Sequence, residues 1–544
     1  MIDEPVPPIL DAPLAPPSRA GSATVRSIAQ AGLIVTVAFA ASRVLGYLRY
    51  VVIAAAEPDP ARLDAFLAAF RIPDLLFQLV AAGALSSALI PVVAGLLATD
   101  EEARAWRVVS TVTTLMLGVL ALLAVVVLVA APVLVPFITP GFAQYPDRMA
   151  QTVDLTRVMV LSPLFLAAGS VLTSVLNARG RFAASAMAPL VYNAAIILGA
   201  LLFVPQLGVT GLAVGVVVGA VGHVLVQVPG IRRMGARIRP GVDLGDPQAR
   251  RALLLMAPRA LGLGAAQVVF VVMISLASTL AEGSIASFTF AFAMLQIPFG
   301  VIGVPLGVVL MPSLAREAAT GDTEAFRRLL VRGLRLLAYV MVPIAALGFV
   351  LADDVTHLLF DYNNASDRSL EVTGAALSAF LVGLTAHSLI AVLARAFYAH
   401  QDTATPVAAA MVAVVVDIVA AVVLVGTFGV VGLAAAMALG AWVEATTLAV
   451  LLRRRVPGLG LSEVLRVLAL TAIVSALGAA VAVAVRQGLV GAWTDDASQL
   501  LVLARLVLAT AAGGAVIVAG SLVLRIGELR MIGGVAMSLV RRRG

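Results

Sequence analysis

The sequence predicts an all-α membrane protein, a polytopic bundle of about fourteen transmembrane helices. The chain of 544 residues is 61% hydrophobic and only 12% charged, and its mean hydropathy is +1.05. Soluble domains carry roughly 25% charged residues, so a water-soluble core cannot absorb this composition. Apolar runs of about 20 residues recur along the chain, each long enough to cross roughly 30 Å of hydrocarbon. The runs are continuous rather than alternating, which favours helices over the strands of a barrel.

The first element is predicted to be a tail. Residues 1–26 are rich in Pro and Ala and begin with acidic residues. They lack the basic segment and the cleavage site of a secretory signal, so we expect a disordered cytoplasmic tail. The predicted spans then follow in order near 28–56, 74–97, 108–137, 152–177, 184–204, 210–229, 252–280, 284–312, 330–351, 370–397, 405–426, 430–452, 463–486 and 500–525.

The loops predict the orientation. Cytoplasmic loops of membrane proteins carry an excess of basic residues, and alternate loops of this chain do so. They contain Arg104 and Arg107; Arg179 and Arg181; Arg232, Arg233, Arg237 and Arg239; Arg316, Arg327 and Arg328; Arg453, Arg454 and Arg455; and Arg541, Arg542 and Arg543. The intervening loops are short or acidic. We therefore expect a multi-pass protein of the cytoplasmic (inner) membrane with both termini in the cytoplasm.

An internal repeat predicts the domain organisation. Short motifs of the first half recur in the same order in the second half: Ser42-Arg43-Val44-Leu45-Gly46 with Pro258-Arg259-Ala260-Leu261-Gly262, Pro91 with Pro312, and Pro189 with Pro406. A repeat of an even number of spans places the halves in parallel orientation, and paired repeats around a cavity are typical of transporters that work by alternating access. The predicted units are an N-terminal lobe of about six helices (27–230), a similar C-terminal lobe (231–456), and a pair of extra helices with a basic tail (457–544).

Composition also excludes several function classes. The chain has no cysteine and four scattered histidines, which excludes thiolate chemistry and gives no spacing for a metal site. Every basic residue is arginine and most lie between apolar runs, which indicates topology rather than nucleic-acid binding. We find no nucleophile–base pair and no phosphate-binding loop, so an enzyme is not expected. Without a nucleotide site or other cofactor, Na⁺ or H⁺ coupling, the membrane potential or the substrate gradient would supply the energy.

Charged residues inside spans are the candidate site residues, because charge in a membrane is costly. Arg43 and Arg49 lie within the first span and are predicted to face a cavity. Asp64 and Arg71 are seven residues apart, which favours either an ion pair at the membrane edge or an arginine at the cavity mouth. The stretch from Arg71 to Pro73 is predicted to be a loop that enters the second span. Arg259 is either a cavity residue or an interface anchor.

Two carboxylates are predicted inside the second half. Asp417 and Glu444 fall in the middle of the eleventh and twelfth spans. They would bind a coupling cation or proton, or pair with an arginine such as Arg395. Both readings remain open from the residues alone.

Motifs spread from the first span to the eleventh resemble those of the MurJ (MviN) family of lipid II flippases, within the multidrug and oligosaccharidyl-lipid exporter superfamily. They are Ser42-Arg43-Val44-Leu45-Gly46 with Arg49; Asp64-Ala65-Phe66; Phe70-Arg71-Ile72-Pro73; Gly83-Ala84 to Ile90-Pro91; Pro140-Gly141-Phe142; Leu176-Asn177 with Arg181-Phe182; Met311-Pro312-Ser313-Leu314; and Phe397-Tyr398 with Gln401-Asp402 and Thr405-Pro406. The resemblance implies a flippase that moves the lipid-linked peptidoglycan precursor to the outer leaflet, with arginines against its pyrophosphate. It places Arg43, Arg49 and Asp64 on functional positions and Arg71 beside them.

The resemblance also implies the partners: an anionic lipid-linked glycan, membrane lipids and the cell-wall synthesis machinery. The sequence departs from the family pattern at two expected arginines, where Phe77 and Ala293 stand, and at an expected glutamate, where Ala82 stands. A flippase for another lipid-linked glycan, a drug/cation antiporter of the same superfamily and a non-transporting membrane scaffold are therefore the alternatives.

Overall fold

The computed structural model describes residues 41–80, 84–361, 367–492 and 499–531. Every regular element in these ranges is a helix, as the apolar pattern predicts. The predicted tail 1–26 lies outside the described residues.

The first half contains helices α1 to α10, several of them in pairs separated by a short turn within one predicted span. They are α1 (41–56), α2 (Pro60–Val80), α3 (Ala84–Ala98), α4 (Glu102–Ile138), α5 (Pro146–Met159), α6 (Ser162–Ala178), α7 (Phe182–Leu202), α8 (Val204–Leu207), α9 (Thr210–Leu225) and α10 (Val228–Arg232). A 3₁₀ turn, Pro140–Gln144, joins α4 to α5.

The second half and the C-terminal part contain α11 to α19. These helices are α11 (Pro247–Ser278), α12 (Ser284–Pro298), α13 (Val304–Thr320), α14 (Thr323–Val350), α15 (Ala352–Phe360), α16 (Asp367–Ala399), α17 (Ala404–Arg455), α18 (Leu461–Ala492) and α19 (Gln499–Val523). A π-helical segment, Phe299–Gly303, connects α12 to α13. Helix α17 is a hairpin, because Gly429 has a non-helical backbone (φ 54°, ψ −132°) that glycine adopts without steric cost.

The helices explain how the chain can occupy a membrane. Ten candidate spans among the described residues are long and apolar enough to cross a bilayer. Three of them each combine two consecutive helices (α5 with α6, α9 with α10, and α12 with α13), and the α17 hairpin is counted as one. The polytopic helix-bundle class is confirmed, whereas the count of fourteen crossings stays a prediction. The loop predicted between Arg71 and Pro73 is wrong, because α2 continues through Pro73. Membrane-protein helices tolerate an interior proline when neighbouring groups satisfy the freed carbonyl.

Two ends of the bundle are distinguished by their connections. At the basic end, which comprises residues 99–104, 179–181, 232–246, 321–328 and 453–460, ion pairs join Arg104 to Asp246 at 2.7 Å and Arg179 to Glu102 at 2.5 Å. The opposite end comprises residues 57–60, 139–146 and 279–283.

Packing links the two halves and the C-terminal helices. Helix α11 contacts α2, α3 and α4 of the first half as well as α12 and α17 of the second, and α12 also contacts α2. Helices α18 and α19 pack against each other, and α18 packs on α14. The boundaries predicted for the lobes and the C-terminal unit stay predictions.

Candidate functional site

Arg43 lies at the junction of the two halves. Its side chain is exposed, and its guanidinium lies against Gly300 in the π-helical segment. A Cβ atom added at Gly300 would come within 2.6 Å of Nη1 of Arg43. The missing side chain at Gly300 therefore lets an arginine of α1 approach the backbone of the second half.

Arg49 is half-buried two turns further along α1. Its Cζ lies 4.8 Å from the centroid of the Tyr50 ring, a cation–π distance. Its Nε is buried and has no hydrogen-bond partner among the described residues. Arg49 is also close enough to Asp74 to interact with its charge. A buried donor without an acceptor is costly, so an anion that reached Nε would satisfy it.

Arg71 connects α2 to α11. Its Nη1 is 3.1 Å from Oδ2 of Asp74, and its Nη2 donates to Oε1 of Gln267. Its Cζ lies 4.7 Å from the centre of the Phe270 ring, and its Nε is buried without a partner in the described part of the chain. Arg71 is thus a bridge between the halves, with its side chain 16% exposed.

Arg49, Arg71 and Asp74 form one charged group, which we call the arginine cluster. Two guanidinium groups face a single carboxylate, so the cluster keeps an excess positive charge. Both Nε atoms lack acceptors, and guanidinium groups bind phosphate oxygens in a fixed fork geometry. The arrangement can hold an anion that carries phosphate.

Asp64 does not pair with Arg71, so the predicted ion pair between them is wrong. Its two carboxylate oxygens accept from the backbone N–H groups of Gly283 and Ala286, each at 2.8 Å. The side chain is almost fully buried. These N–H groups belong to the start of α12, whose first donors have no partner within the helix. Asp64 therefore caps a helix of the other half and stands apart from the arginine cluster.

Further contacts join the halves at the opposite end, beside Asp64. Arg148 forms an ion pair with Glu282. The N–H of Gly141 donates to Oγ of Ser278 at 3.2 Å, and a Cβ at Gly141 would overlap the Ser278 backbone. The opposite end is closed in this conformation by backbone contact between the halves.

An aromatic side chain, Phe292, lies next to Ala293, the position where the family resemblance implies an arginine. The Phe292 ring lies 4.7 Å from that of Phe270 and 5.5 Å from that of Phe380. Phe270 is the same ring that Arg71 covers. The expected charge is replaced by an apolar wall next to the arginine cluster. Arg259 falls on α11, but its side chain lies outside the described residues.

Asp417 and Glu444 face each other across the α17 hairpin. Asp417 is 9% exposed, its Oδ1 has no partner among the described residues, and it packs against Gly440, where a Cβ would overlap it. Glu444 lies one turn beyond Gly440 and interacts with the charge of Asp417. Arg395 donates instead to the carbonyl oxygen of Ala391 in its own helix, so the structure does not bring it to the two carboxylates.

Sequence reasoning missed the partners that complete these groups. Asp74 was not singled out, although it lies three residues after Arg71, a spacing that brings helical side chains together. Asp354 was not singled out either, although it is 1% exposed and joins Arg486 of α18 at 2.6 Å and Arg505 of α19 at 2.5 Å. These pairs are distant in sequence, so no local pattern predicts them.

Comparisons with known proteins agree with this architecture. The family model described as lipid II flippase MurJ matches residues 59–502. The chain is 31% identical over 420 residues to the lipid II flippase MurJ of Burkholderia cenocepacia, covering 76% of this chain and 81% of that protein. It is also 31% identical over 421 residues to the probable lipid II flippase MurJ of Rhizobium tropici, covering 76% and 79%.

Two solved structures share the fold. One is described as lipid II flippase MurJ in an inward closed conformation, with a TM-score of 0.74 and 19% identity over 90% of this chain and 98% of that one. The other is a multidrug resistance MATE family transporter in an inward-facing conformation, with a TM-score of 0.65 and 16% identity over 77% and 95%. At these sequence identities the structural similarity shows only that the chains share the same helix-bundle fold.

Proposed function

Because the chain belongs to the lipid II flippase MurJ family, we propose that it carries lipid II, the lipid-linked peptidoglycan precursor, from the cytoplasmic to the outer leaflet. The observation that carries the proposal is the arginine cluster together with Arg43. These side chains lie where α1 and α2 meet α11 and the π-helical segment. A pyrophosphate headgroup is an anion that would satisfy the Nε donors of Arg49 and Arg71, which have no partner among the described residues.

We propose alternating access as the mechanism. The closed opposite end supports it, because Asp64, Gly141 and Arg148 of the first half each contact residues 278–286 of the second. Release on that side requires these contacts to separate. The basic loops support an orientation with both termini in the cytoplasm, so that the opposite end faces outward in the inner membrane.

A coupling cation is proposed at Asp417 and Glu444. Two carboxylates close together in a membrane repel each other unless a cation or proton lies between them. Na⁺ or H⁺ would serve, and the membrane potential is the other source of energy. Transport of this kind makes and breaks no covalent bond, so we propose a transporter without enzymatic activity that acts beside the cell-wall synthesis machinery.

The test is replacement of the essential lipid II flippase in a depleted cell by this protein, with precursor in the outer leaflet measured directly. Wild type should restore translocation. Arg43→Ala and Arg49→Ala should each reduce it about tenfold or more, since a hydrogen bond to a charged group contributes ~1.5–3 kcal/mol. Arg62→Ala is the matched control, because Arg62 is exposed at 55% and pairs with Asp59 at the opposite end.

Two outcomes would contradict the proposal. If the membrane-inserted wild type fails to restore translocation, lipid II is not its substrate. The remaining functions would be transport of another lipid-linked glycan or a scaffold role. Full activity of both arginine variants would show that Arg43 and the arginine cluster are not required for substrate binding.

A further inference from the structure

A cationic cavity lies at the basic end, and none of its lining residues belongs to the arginine cluster. It has a volume of about 340 Å³ and is enclosed by the start of α14, the start of α18 and residues 527–531 beyond α19. We call it the tail cavity. The charged side chains that line it are Arg327, Arg328, Arg332, Arg335, Glu463 and Glu528.

Arg335 forms ion pairs with two carboxylates. Its Nη1 lies 2.9 Å from Oε2 of Glu463, and its Nε lies 2.6 Å from Oε1 of Glu528. Glu528 is 5% exposed. One arginine against two glutamates leaves this group with one net negative charge, and its ion pairs tie α14 to α18 and to residues 527–531.

Arg327 and Arg328 share a single carboxylate, that of Glu324. Their Nη2 and Nη1 atoms lie 2.8 and 3.2 Å from Oε1 of Glu324. Arg327 also donates to the carbonyl oxygen of Gly458 at 2.7 Å. One carboxylate therefore serves two guanidinium groups.

Arg332 has an exposed side chain and makes no hydrogen bond or ion pair with any described residue. Four arginines and three glutamates surround the tail cavity, so the group keeps one net positive charge, and Arg332 is its arginine without a carboxylate partner among the described residues. The tail cavity is therefore a cationic pocket. Arg332 lines it, and the guanidinium group of Arg332 has no hydrogen-bond or ion-pair partner among the described residues.

We propose that the tail cavity binds the phosphate headgroup of an anionic glycerophospholipid. Basic pockets between helices at the cytoplasmic face suit such headgroups, and guanidinium pairs well with phosphate. Exposed apolar side chains lie next to the lining residues along the chain: Leu465 is 62% exposed, two residues after Glu463, and Leu524 is 41% exposed, three residues before Gly527. They provide surface for acyl chains. The bound lipid would hold α18 and α19 against α14, independently of the substrate.

The test compares lipids that share acyl chains and differ in headgroup. Full-length protein is purified, delipidated, and titrated with phosphatidylglycerol or phosphatidylcholine, and bound lipid is counted by native mass spectrometry. Wild type should prefer phosphatidylglycerol. Arg332→Gln should lower that preference about fivefold, the equilibrium equivalent of the ~1 kcal/mol that a basic residue contributes near an anionic membrane surface.

Controls separate this site from general charge. Arg332→Lys should retain most of the preference, and Arg232→Gln, an exposed arginine at the end of α10, should leave it unchanged. Arg332 makes no hydrogen bond or ion pair with the described residues, so the unfolding temperature of its variants in phosphatidylcholine should equal that of wild type.

Three results would overturn the assignment. Equal preference in wild type and Arg332→Gln would exclude Arg332 as the headgroup ligand. Displacement of phosphatidylglycerol by millimolar inorganic phosphate would indicate a site for soluble phosphate. Displacement by an equal concentration of undecaprenyl pyrophosphate would indicate a site for the transported lipid.

Discussion

Asp64 shows how one side chain can hold two halves of a transporter together. It supplies the acceptors for two backbone donors at the start of α12, although it belongs to α2. Loss of a capping carboxylate costs ~0.5–2 kcal/mol, and a buried donor left without an acceptor costs ~1–3 kcal/mol. The cost applies only while the opposite end is closed, because an open end exposes the same donors to water.

We therefore expect Asp64→Ala to favour opening at the opposite end. The chain has no cysteine, so Ser287→Cys in the first turn of α12 introduces a single reporter thiol. Ser287 is 2% exposed, and its modification by a membrane-impermeant reagent requires opening. Asp64→Ala should increase the labelling rate about tenfold, which corresponds to ~1.4 kcal/mol.

Asp59→Ala is the control for this measurement. Asp59 accepts from the N–H of Ala61 at 2.9 Å, so it caps its own helix and joins no second element. An equal increase in labelling for Asp59→Ala, or none for Asp64→Ala, would show that capping across the halves does not hold the end closed.

Residue roles were only partly predictable. Arg43 and Arg49 stood out because charge in an apolar run is unusual, and the structure places both near the junction between halves. Helical spacing favoured an ion pair between Asp64 and Arg71 as one alternative. Their partners in the structure are instead Gly283, Ala286, Asp74 and Gln267. Three of these lie about two hundred residues away, and spacing along one helix carries no information about them.

At the scale of elements, the α17 hairpin is closed at its base by Asp402. This carboxylate accepts from the N–H and Oγ1 of Thr405, at 3.0 and 2.7 Å, and pairs with Arg455 at the other end of the hairpin. The hydrogen bonds from Thr405, followed by that from Arg455, lower the pKa of Asp402 to about 2. The group lies in the connection before α17, outside the apolar spans.

This pKa predicts a pH-dependent contribution to stability. The folded pKa lies below the unfolded value of about 3.9, so the carboxylate stabilises the fold above about pH 4. That contribution is lost as the pH falls from about 4 towards 2. Asp402→Ala should lower the unfolding temperature at neutral pH, consistent with ~1 kcal/mol for a lost capping group, and the gap from wild type should narrow progressively as the pH falls below about 4.

The unfolding temperature in detergent, measured from pH 7 to pH 2.5, checks this expectation. Asp322→Ala offers a comparison, because Asp322 caps α14 through the N–H of Ala325 at 2.8 Å and has no arginine partner in the described part of the chain. A gap between Asp402→Ala and wild type that stays constant down to pH 2.5 would contradict the lowered pKa.

The elements themselves were well predicted, since an apolar run long enough for a membrane permits little except a helix. The break at Gly429 falls between the predicted spans 405–426 and 430–452. Irregularities inside helices were missed. The π-helical segment Phe299–Gly303 lies within one predicted span, and Pro73 was mistaken for a boundary, because both depend on neighbouring helices rather than on local sequence.

At the scale of the whole molecule, α18 and α19 are fastened to the second half at both ends. Asp354 pairs with Arg486 and Arg505 near the opposite end, and Arg335 pairs with Glu463 and Glu528 near the basic end. Between them, Tyr339 of α14 packs in a cluster with Val474 and Ile517. We infer that these two helices move with the second half.

A double-mutant cycle tests the Asp354 contact. Removing one partner of a buried pair leaves an uncompensated charge, so Asp354→Asn and Arg505→Gln should each lower the free energy of unfolding. The double variant should lose less than the sum, with a coupling energy of ~1–3 kcal/mol, measured by denaturant titration in detergent.

Asp353→Asn combined with Arg505→Gln provides the reference cycle. Asp353 is the adjacent exposed residue and makes no ion pair with Arg505, so its effect should add to that of Arg505→Gln. Additivity in the Asp354 cycle as well would mean that the pair contributes nothing to holding α19.

The sequence predicted the architecture of the bundle, but not the tertiary contacts that stabilise it. Composition and motif order indicated a transporter bundle with two extra helices, and the family match confirms its class. The fastening of those helices was not predicted, since Arg486 and Arg505 lie near span ends where arginines commonly reach the interface. Only the tertiary position of Asp354 distinguishes an ion pair within the protein from arginines that reach the membrane interface.

A change of hydrogen-bonding register in the π-helical segment would alter the contacts of two arginines, Arg43 and Arg395. If Phe299–Gly303 returned to α-helical hydrogen bonding, α13 would shift by one residue and rotate by about 100° around its axis. Gly300 would then turn its bare face away from Arg43, and Gly307 would leave the Arg395 guanidinium that now packs against it. One inserted residue in a helix thus provides a means of rotating half of a span without moving the rest.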